Sequence, residues 1–141
     1  MCKYKVGYTT GTFDLFHVGH LNLIRRSKEN CDYLIVGVSS DELVVQVKGK
    51  KPIIPCSERM EILSAIKYID KVVKQTSIEK IGDWEKYRFD VVFHGNDWEN
   101  SEIDLMNATI LKEHNVDFVY FERGKYLSTT QICEKIKKES V

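Results

Sequence analysis

The stretch "YKVGYTTGTFDLFHVGH", Tyr4 to His20, carries the reading of the fold. Its first seven residues are rich in β-branched and aromatic side chains, as a buried strand requires. Gly11 then permits a tight turn, and the helix-period stretch that follows makes the whole a strand–loop–helix unit. Working outward, similar apolar runs recur at 33–40 (YLIVGVSS), 71–76 (KVVKQT), 90–95 (DVVFHG) and 117–122 (DFVYFE). Helix-period segments lie between them, near 18–30, 57–68, 78–87 and 101–114, and a last one is predicted from about 129 to 139. Ser57 and Ser128 are the predicted N-caps of the second and last of these. Short continuous Val/Ile runs suit parallel strands covered on both faces, and right-handed crossovers place helices on both sides. The expected fold is therefore α/β: a doubly wound, Rossmann-like, five-stranded parallel sheet, one domain over residues 1–141.

Composition removes several function classes. Lys plus Arg and Asp plus Glu both number 21, so the chain has no global basic excess of the kind that marks nucleic-acid binding. Any anion site must be local. Four cysteines, Cys2, Cys31, Cys56 and Cys133, are widely spaced and form no CxxC pair, so they are read as reduced, mostly buried thiols. No apolar run approaches the roughly 20 residues of a membrane span, and the first residues lack the apolar core of a signal peptide. The expectation is a soluble cytoplasmic protein with no nucleic-acid or membrane partner.

Ligands of doubly wound sheets bind beyond the carboxyl ends of the strands. "GTFDLFHVGH", Gly11 to His20, lies there, where backbone N–H groups and the positive end of a helix dipole favour an anion. Gly19 removes a side chain where a phosphate must come close. His17 and His20, three apart, are expected to project from one face of the helix onto the same ligand. A pair of zinc ligands is the competing reading of HxxH, but no third ligand has supporting spacing. His94 and His114 are read as ordinary surface or cap residues. At the other end of the chain, Ser128, Thr129 and Thr130 open a helix with hydroxyls and N–H groups together. Arg123 adds a fork of donors suited to phosphate oxygens.

"GTFDLFHVGH" and "RGKYLSTT" (123–130) resemble the two signature stretches of the cytidylyltransferases, within the nucleotidylyltransferase superfamily. "KYIDKVV" (67–73) and "GNDW" (95–98) fall between them in the expected order, so the resemblance covers essentially the whole chain. It is nearest to the small bacterial glycerol-3-phosphate cytidylyltransferases. The resemblance implies transfer of a cytidylyl group from CTP, accompanied by Mg²⁺, to a small phosphomonoester, foremost glycerol 3-phosphate, giving CDP-glycerol and pyrophosphate. Phosphocholine, phosphoethanolamine and ribitol phosphate are alternative acceptors. An ATP-using adenylyltransferase is a second reading within the superfamily, and a nucleotide-binding regulatory module without turnover is a reading from another class.

Carried over by position, His17, His20, Lys48 and Arg123 are the catalytic set, with His20 donating to the α-phosphate. Nucleotide contacts are expected from Thr12, Phe13, Gly19, Lys67, Asp97, Gly124, Ser128, Thr129 and Thr130, and acceptor contacts from Lys48 and Lys80. Lys48 is placed in a flexible stretch after the second strand, and Lys50 and Lys51 add local charge. Asp14 braces the turn; Asp14 and Asp97 are the carboxylates open to a metal, whose ligands are otherwise unassigned. Trp98 stacks or walls a pocket. Arg59 is either structural or at a subunit contact, and the resemblance implies a homodimer. Lys67 replaces an Arg usual in the family, Gly124 a Thr, and Tyr126 a Gly.

Overall fold

The computed structural model describes residues 3–122, Gly124 and 128–139. Five strands, β1 (Tyr4–Gly11), β2 (Cys31–Ser39), β3 (Lys71–Gln75), β4 (Val91–Gly95) and β5 (Asp117–Phe121), form one sheet in the order β3-β2-β1-β4-β5. Every neighbouring pair is parallel, with Tyr8 opposite Ile35 and Val92, and Phe93 opposite Val119. Six α-helices, α1 (Val18–Glu29), α2 (Asp41–Lys48), α3 (Cys56–Ser64), α4 (Ile81–Tyr87), α5 (Glu102–Lys112) and α6 (Thr129–Glu139), and one short 3-10 helix after β4, Asn96–Trp98, complete the described elements. None of them is long and apolar enough to cross a membrane.

Alternation along the central strands makes two cores, because successive side chains of a strand point to opposite faces. Leu34, Val36, Val38, Val91 and Phe93 join Ile24 of α1 and Leu63 of α3 on one face. Ile35, Val73 and Val92 join Leu111 of α5 on the other, with Ile81 and Trp84 of α4 packed against them. The doubly wound arrangement expected from the Val/Ile runs is present. Its switch point lies between β1 and β4, where the chain turns from building outward through β2 and β3 to building the opposite way through β4 and β5.

Two local expectations are corrected. Lys48 does not lie in a flexible stretch: it is the last residue of α2. Ser40 Oγ accepts the Leu43 amide at 3.1 Å, Asp41 and Glu42 occupy the first turn, and Gly49 ends the helix at φ 76° with its N–H on Val45 O at 2.8 Å. Ser57 is not a cap; Pro55 precedes the first residue of α3, and no side chain caps it. Ser128 does cap α6, its Oγ accepting the Gln131 amide at 3.1 Å while Gln131 Oε1 accepts the Ser128 amide at 2.9 Å.

Candidate active site

Beyond the end of β1 the backbone enters a strained loop. Phe13 and Leu15 both hold the left-handed conformation, at φ 54° and 50°, which costs of order 1–3 kcal/mol for each such residue. Burial holds the conformation: the Phe13 ring is in the core, and a Cβ at Gly11 would stand 3.1 Å from it. The loop delivers the chain to His17, which is not part of the helix. It is the N-cap of α1, with extended φ −140° and ψ 178°. The expectation that the two histidines share a helical face is thus corrected; a reciprocal capping arrangement brings them together. His17 Nδ1 accepts the Gly19 amide at 3.1 Å, and His20 Nδ1 accepts the His17 amide at 3.3 Å. The rings stack with centroids 3.8 Å apart.

This geometry decides the tautomers. A backbone N–H can only donate, so each Nδ1 is an acceptor and each ring proton sits on Nε2. Two imidazole donors are thereby fixed at the positive end of α1. Phe13 and Phe16, each with its ring centroid 5.4 Å from that of His20, restrict the second imidazole further.

Asp14 ties two segments to this loop. Its carboxylate accepts Ile53 N at 2.7 Å and Ile54 N at 2.9 Å, and its carbonyl accepts Thr129 Oγ1 at 2.9 Å. The segment carrying Lys50 and Lys51, and the start of α6, are both anchored to the histidine loop. Underneath, Arg59 is 1% exposed. Its Nη1 donates to Thr12 O at 2.7 Å and Ser39 O at 2.8 Å, its Nε to Ile54 O at 2.7 Å, and its Nη2 to Asp41 at 2.7 Å. Arg59 is therefore structural: one guanidinium holds the loops after β1 and β2 together.

A cavity of about 730 Å³ opens over these loops at the carboxyl end of the sheet. Lys80, at the N-cap of α4 and 2% exposed, stands in its wall, held by its amide on Asn107 Oδ1 at 2.8 Å. Burial pushes its ammonium below the usual lysine range, against the pull of Asp104 and Asp83. His94 lies in the same wall, and the reading of it as a surface or cap residue is corrected: it is buried, with Nδ1 2.8 Å from Asp104 and its ring beside Trp98 at 5.1 Å between centroids. His114 is exposed, as expected, and stacks on Trp84.

Comparison with known proteins agrees with this geometry. Residues 8–135 match the cytidylyltransferase-like family. The chain belongs to that family. It is 37% identical to the glycerol-3-phosphate cytidylyltransferase of Staphylococcus aureus over 129 residues, 91% of this chain and 92% of the relative. It is 38% identical to the protein of the same name from Bacillus subtilis, over 91% of this chain and 94% of that one. Among solved structures, a lipopolysaccharide core biosynthesis protein from Thermoplasma volcanium shares the fold at a TM-score of 0.72, with 23% identity over 88% of this chain and 99% of that one.

Most residues singled out in the sequence of this cytidylyltransferase-like chain meet at this cavity. Thr12, Phe13, His17, Gly19 and His20 line it from the first loop and α1. Lys48 lines it from α2, Asp97 and Trp98 from the turn after β4, and Gly124, Ser128, Thr129 and Thr130 from the approach to α6. Lys67 is not among the lining residues; it is exposed, with its Nζ 5.2 Å from the Tyr68 ring centroid. Arg123 and Tyr126 lie outside the described residues. Sequence reasoning missed Arg26, which lines the cavity with its Nη1 on Glu122 O at 3.0 Å, and it missed Thr10 and Lys137 in the same lining. Arg26 sits six residues beyond His20 within α1, which is not a same-face spacing on a helix, so the sequence carried no signal for it.

Proposed function

We propose that this chain transfers the cytidylyl group of CTP to glycerol 3-phosphate, releasing pyrophosphate. The observation that carries the reading is the stacked pair His17 and His20, each with its proton directed to Nε2 by a backbone N–H, in a cavity that also receives Lys48 and Lys80. A phosphate oxygen of the acceptor attacks the α-phosphorus. A new P–O bond forms, the bond from the α-phosphorus to the bridging oxygen breaks, and that oxygen leaves with the β- and γ-phosphates. No covalent enzyme intermediate is required, so the protein contributes positioning and stabilisation of developing charge.

In this reading His20 donates to the α-phosphate as it becomes five-coordinate, with His17 beside it on the triphosphate. The Ser128 and Thr130 hydroxyls and the Thr129 and Thr130 N–H groups, together with Arg123, receive the leaving pyrophosphate, while the Thr129 hydroxyl and the Ser128 amide hold the helix start in place. Lys48 takes the acceptor phosphate, with Lys80 deeper in the cavity. Names of the curated relatives support CTP and glycerol 3-phosphate as the pair.

Mg²⁺ accompanies the triphosphate, and it supplies neutralisation of phosphate charge. Among the described residues no group of three or more His, Cys, Asp or Glu side chains is arranged to hold a metal. A Mg²⁺ ion that keeps its waters and the substrate's oxygens needs only one or two carboxylates. Asp97 is the carboxylate open to it, because both Asp14 oxygens already accept backbone N–H groups. The family resemblance also supports a homodimer formed partly through the 67–73 region.

Incubation with each of the four nucleoside triphosphates and a panel of phosphorylated alcohols, with pyrophosphate as the readout, tests the assignment. CTP with glycerol 3-phosphate is expected to react fastest, and unphosphorylated glycerol is expected to give nothing. Activity with ATP and not CTP overturns the reading.

A further inference from the structure

A connected set of buried polar side chains lies behind the Lys80 wall, and the chemistry above makes no use of it. His94 is 3% exposed. Its Nδ1 is 2.8 Å from Asp104 Oδ2, which also accepts the Tyr120 hydroxyl at 3.0 Å, and its Nε2 is 3.1 Å from Thr10 Oγ1. The four residues come from three adjacent strands and α5: Thr10 from β1, His94 from β4, Tyr120 from β5 and Asp104 from the first turn of α5. Thr10, His94 and Lys80 all line the cavity.

Proton positions follow from the partners. Asp104 is ionised: its burial opposes the charge, but the hydrogen bonds from His94 and Tyr120 and the nearby Lys80 outweigh that and hold its carboxyl below the usual range. Burial pushes the His94 imidazolium down despite the bond to Asp104, so the ring is neutral. A neutral imidazole facing a carboxylate through Nδ1 carries its proton there, which leaves Nε2 an acceptor. The Thr10 hydroxyl then gives its single proton to Nε2. A threonine hydroxyl ordinarily rotates to donate or accept as its neighbour demands; here the relay leaves Thr10 Oγ1 able only to accept from the cavity side.

The group opposite Thr10 must therefore be a donor, and Lys80 decides which kind. Its side chain makes no ion pair within 4 Å of a described carboxylate and burial favours its neutral form, but a bound phosphate favours the ammonium by pairing with it, so with the phosphorylated acceptor in place the wall carries a positive charge. An ammonium or trimethylammonium head would meet that charge in a site of low dielectric, whereas a neutral hydroxyl would not. We propose that Thr10 Oγ1, fixed as an acceptor by the Tyr120–Asp104–His94 relay, receives a hydroxyl of the phosphate-bearing acceptor, so that this wall selects polyol phosphates over amino-alcohol phosphates. Thr10 is then a specificity-determining residue and His94 a positioning residue. The inference rests on the cytidylyl-transfer reading above. The hydroxyls of the nucleotide's ribose offer the same chemistry, and the experiment separates the two sources.

Pyrophosphate release with CTP is followed for glycerol 3-phosphate, for the propanediol phosphates that lack one or the other of its hydroxyls, and for phosphoethanolamine. The wild-type chain is expected to lose about 10–100-fold in kcat/KM when the hydroxyl that meets Thr10 is missing. Thr10→Val is isosteric, and it should bring that ratio to within about twofold of unity. His94→Leu, which frees the Thr10 rotor to donate as well as to accept, should lower the ratio only in part and narrow the preference over phosphoethanolamine, and His94→Gln, which keeps an acceptor for Thr10, should restore both. Lys48→Ala should weaken all the phosphorylated acceptors alike and keep the ratio. A ratio that survives Thr10→Val in a folded protein overturns the inference. So does a KM for CTP that rises with Thr10→Val as much as the acceptor KM, since the hydroxyl received is then the nucleotide's. A wild-type chain that releases no pyrophosphate with any phosphomonoester overturns the function itself, and this reading with it.

Discussion

Replacing Arg59 by Met tests whether one buried guanidinium holds the active loops together. The substitution keeps most of the side-chain volume and removes every donor. Lost are the contacts to Thr12 O, Ser39 O and Ile54 O, and the 2.7 Å ion pair with Asp41. Removing one partner of a buried ion pair costs about 3–5 kcal/mol. Asp41 itself is 38% exposed and can turn to water, so the cost lies near the lower end, about 3 kcal/mol. A chain of 141 residues has about 7–20 kcal/mol of stability in total, so the variant should still fold. Its melting temperature should fall by about 10–15 °C, at roughly 3–5 °C per kcal/mol for this size. Function should suffer more than stability requires. Thr12 O leads directly into the strained Phe13–Leu15 turn, and a shift of about 1 Å in such a loop can cost about 100-fold in rate. Thermal unfolding by circular dichroism, paired with kcat/KM for CTP well below the melting temperature, reads both effects. Arg59→Lys, with one ammonium in place of a planar fork, should recover only part of either. A melting temperature within about 3 °C of wild type, or a low-melting variant with unchanged kcat/KM for CTP, would refute the reasoning.

His20→Ala should lower kcat by about 10²–10³, the scale of one preorganised transition-state donor, with a melting temperature close to wild type; an unchanged kcat removes the role given to this residue. Lys48→Ala should raise the KM of the phosphorylated acceptor far more than that of CTP, and equal changes would place the lysine on the nucleotide instead. Stability should also depend on pH through His94. Its folded-state pKa lies below the ordinary 6.5, so the unfolded chain binds the proton more readily, and stability falls as pH drops from 6.5 toward the folded value. Urea unfolding midpoints measured across that window should decline for wild type, and His94→Leu should remove that part of the slope; an identical slope in both assigns the loss to other groups.

The strands were legible because their burial on both faces leaves a mark that needs no partner: the period-two alternation of a half-exposed strand gives way to unbroken apolar runs, as in "YLIVGVSS" and "DVVFHG". β2 and β4 appear within two residues of those runs. α2 was not legible from periodicity, since Leu43, Val44, Val45 and Val47 crowd half of an eight-residue helix, with the first two buried and the last two exposed. Its caps were legible: Ser40 before Asp41 and Glu42, and Gly49 after Lys48, are start and stop signals that outrank the apolar pattern in so short a helix. The histidine spacing indicated a shared ligand but not the means, because capping depends on the φ and ψ of His17. His94 reads as a surface or cap residue because nothing local in the sequence marks its burial. Thr10 and Tyr120 lie 84 and 26 residues from it and become its neighbours only through the strand order β1-β4-β5.

The balance of charge presents the same problem at the level of the whole chain. A protein with equal numbers of acidic and basic side chains binds two anions only if its carboxylates are kept from answering its lysines at the site. The structure does this by giving the innermost carboxylates other work. Asp14 accepts two backbone amides, Asp41 pairs with Arg59, and Asp104 accepts His94 and Tyr120. Those left at the cavity, Asp97, Glu122 and Glu134, are exposed, where water and salt screen them. Lys80 is buried in the wall, and the imidazole donors are fixed by the backbone, so their fields and hydrogen bonds act in a drier medium than those rim carboxylates. A net-neutral sequence thus yields a cavity that favours phosphate, and the three committed aspartates are as necessary to that result as the cations they leave unopposed.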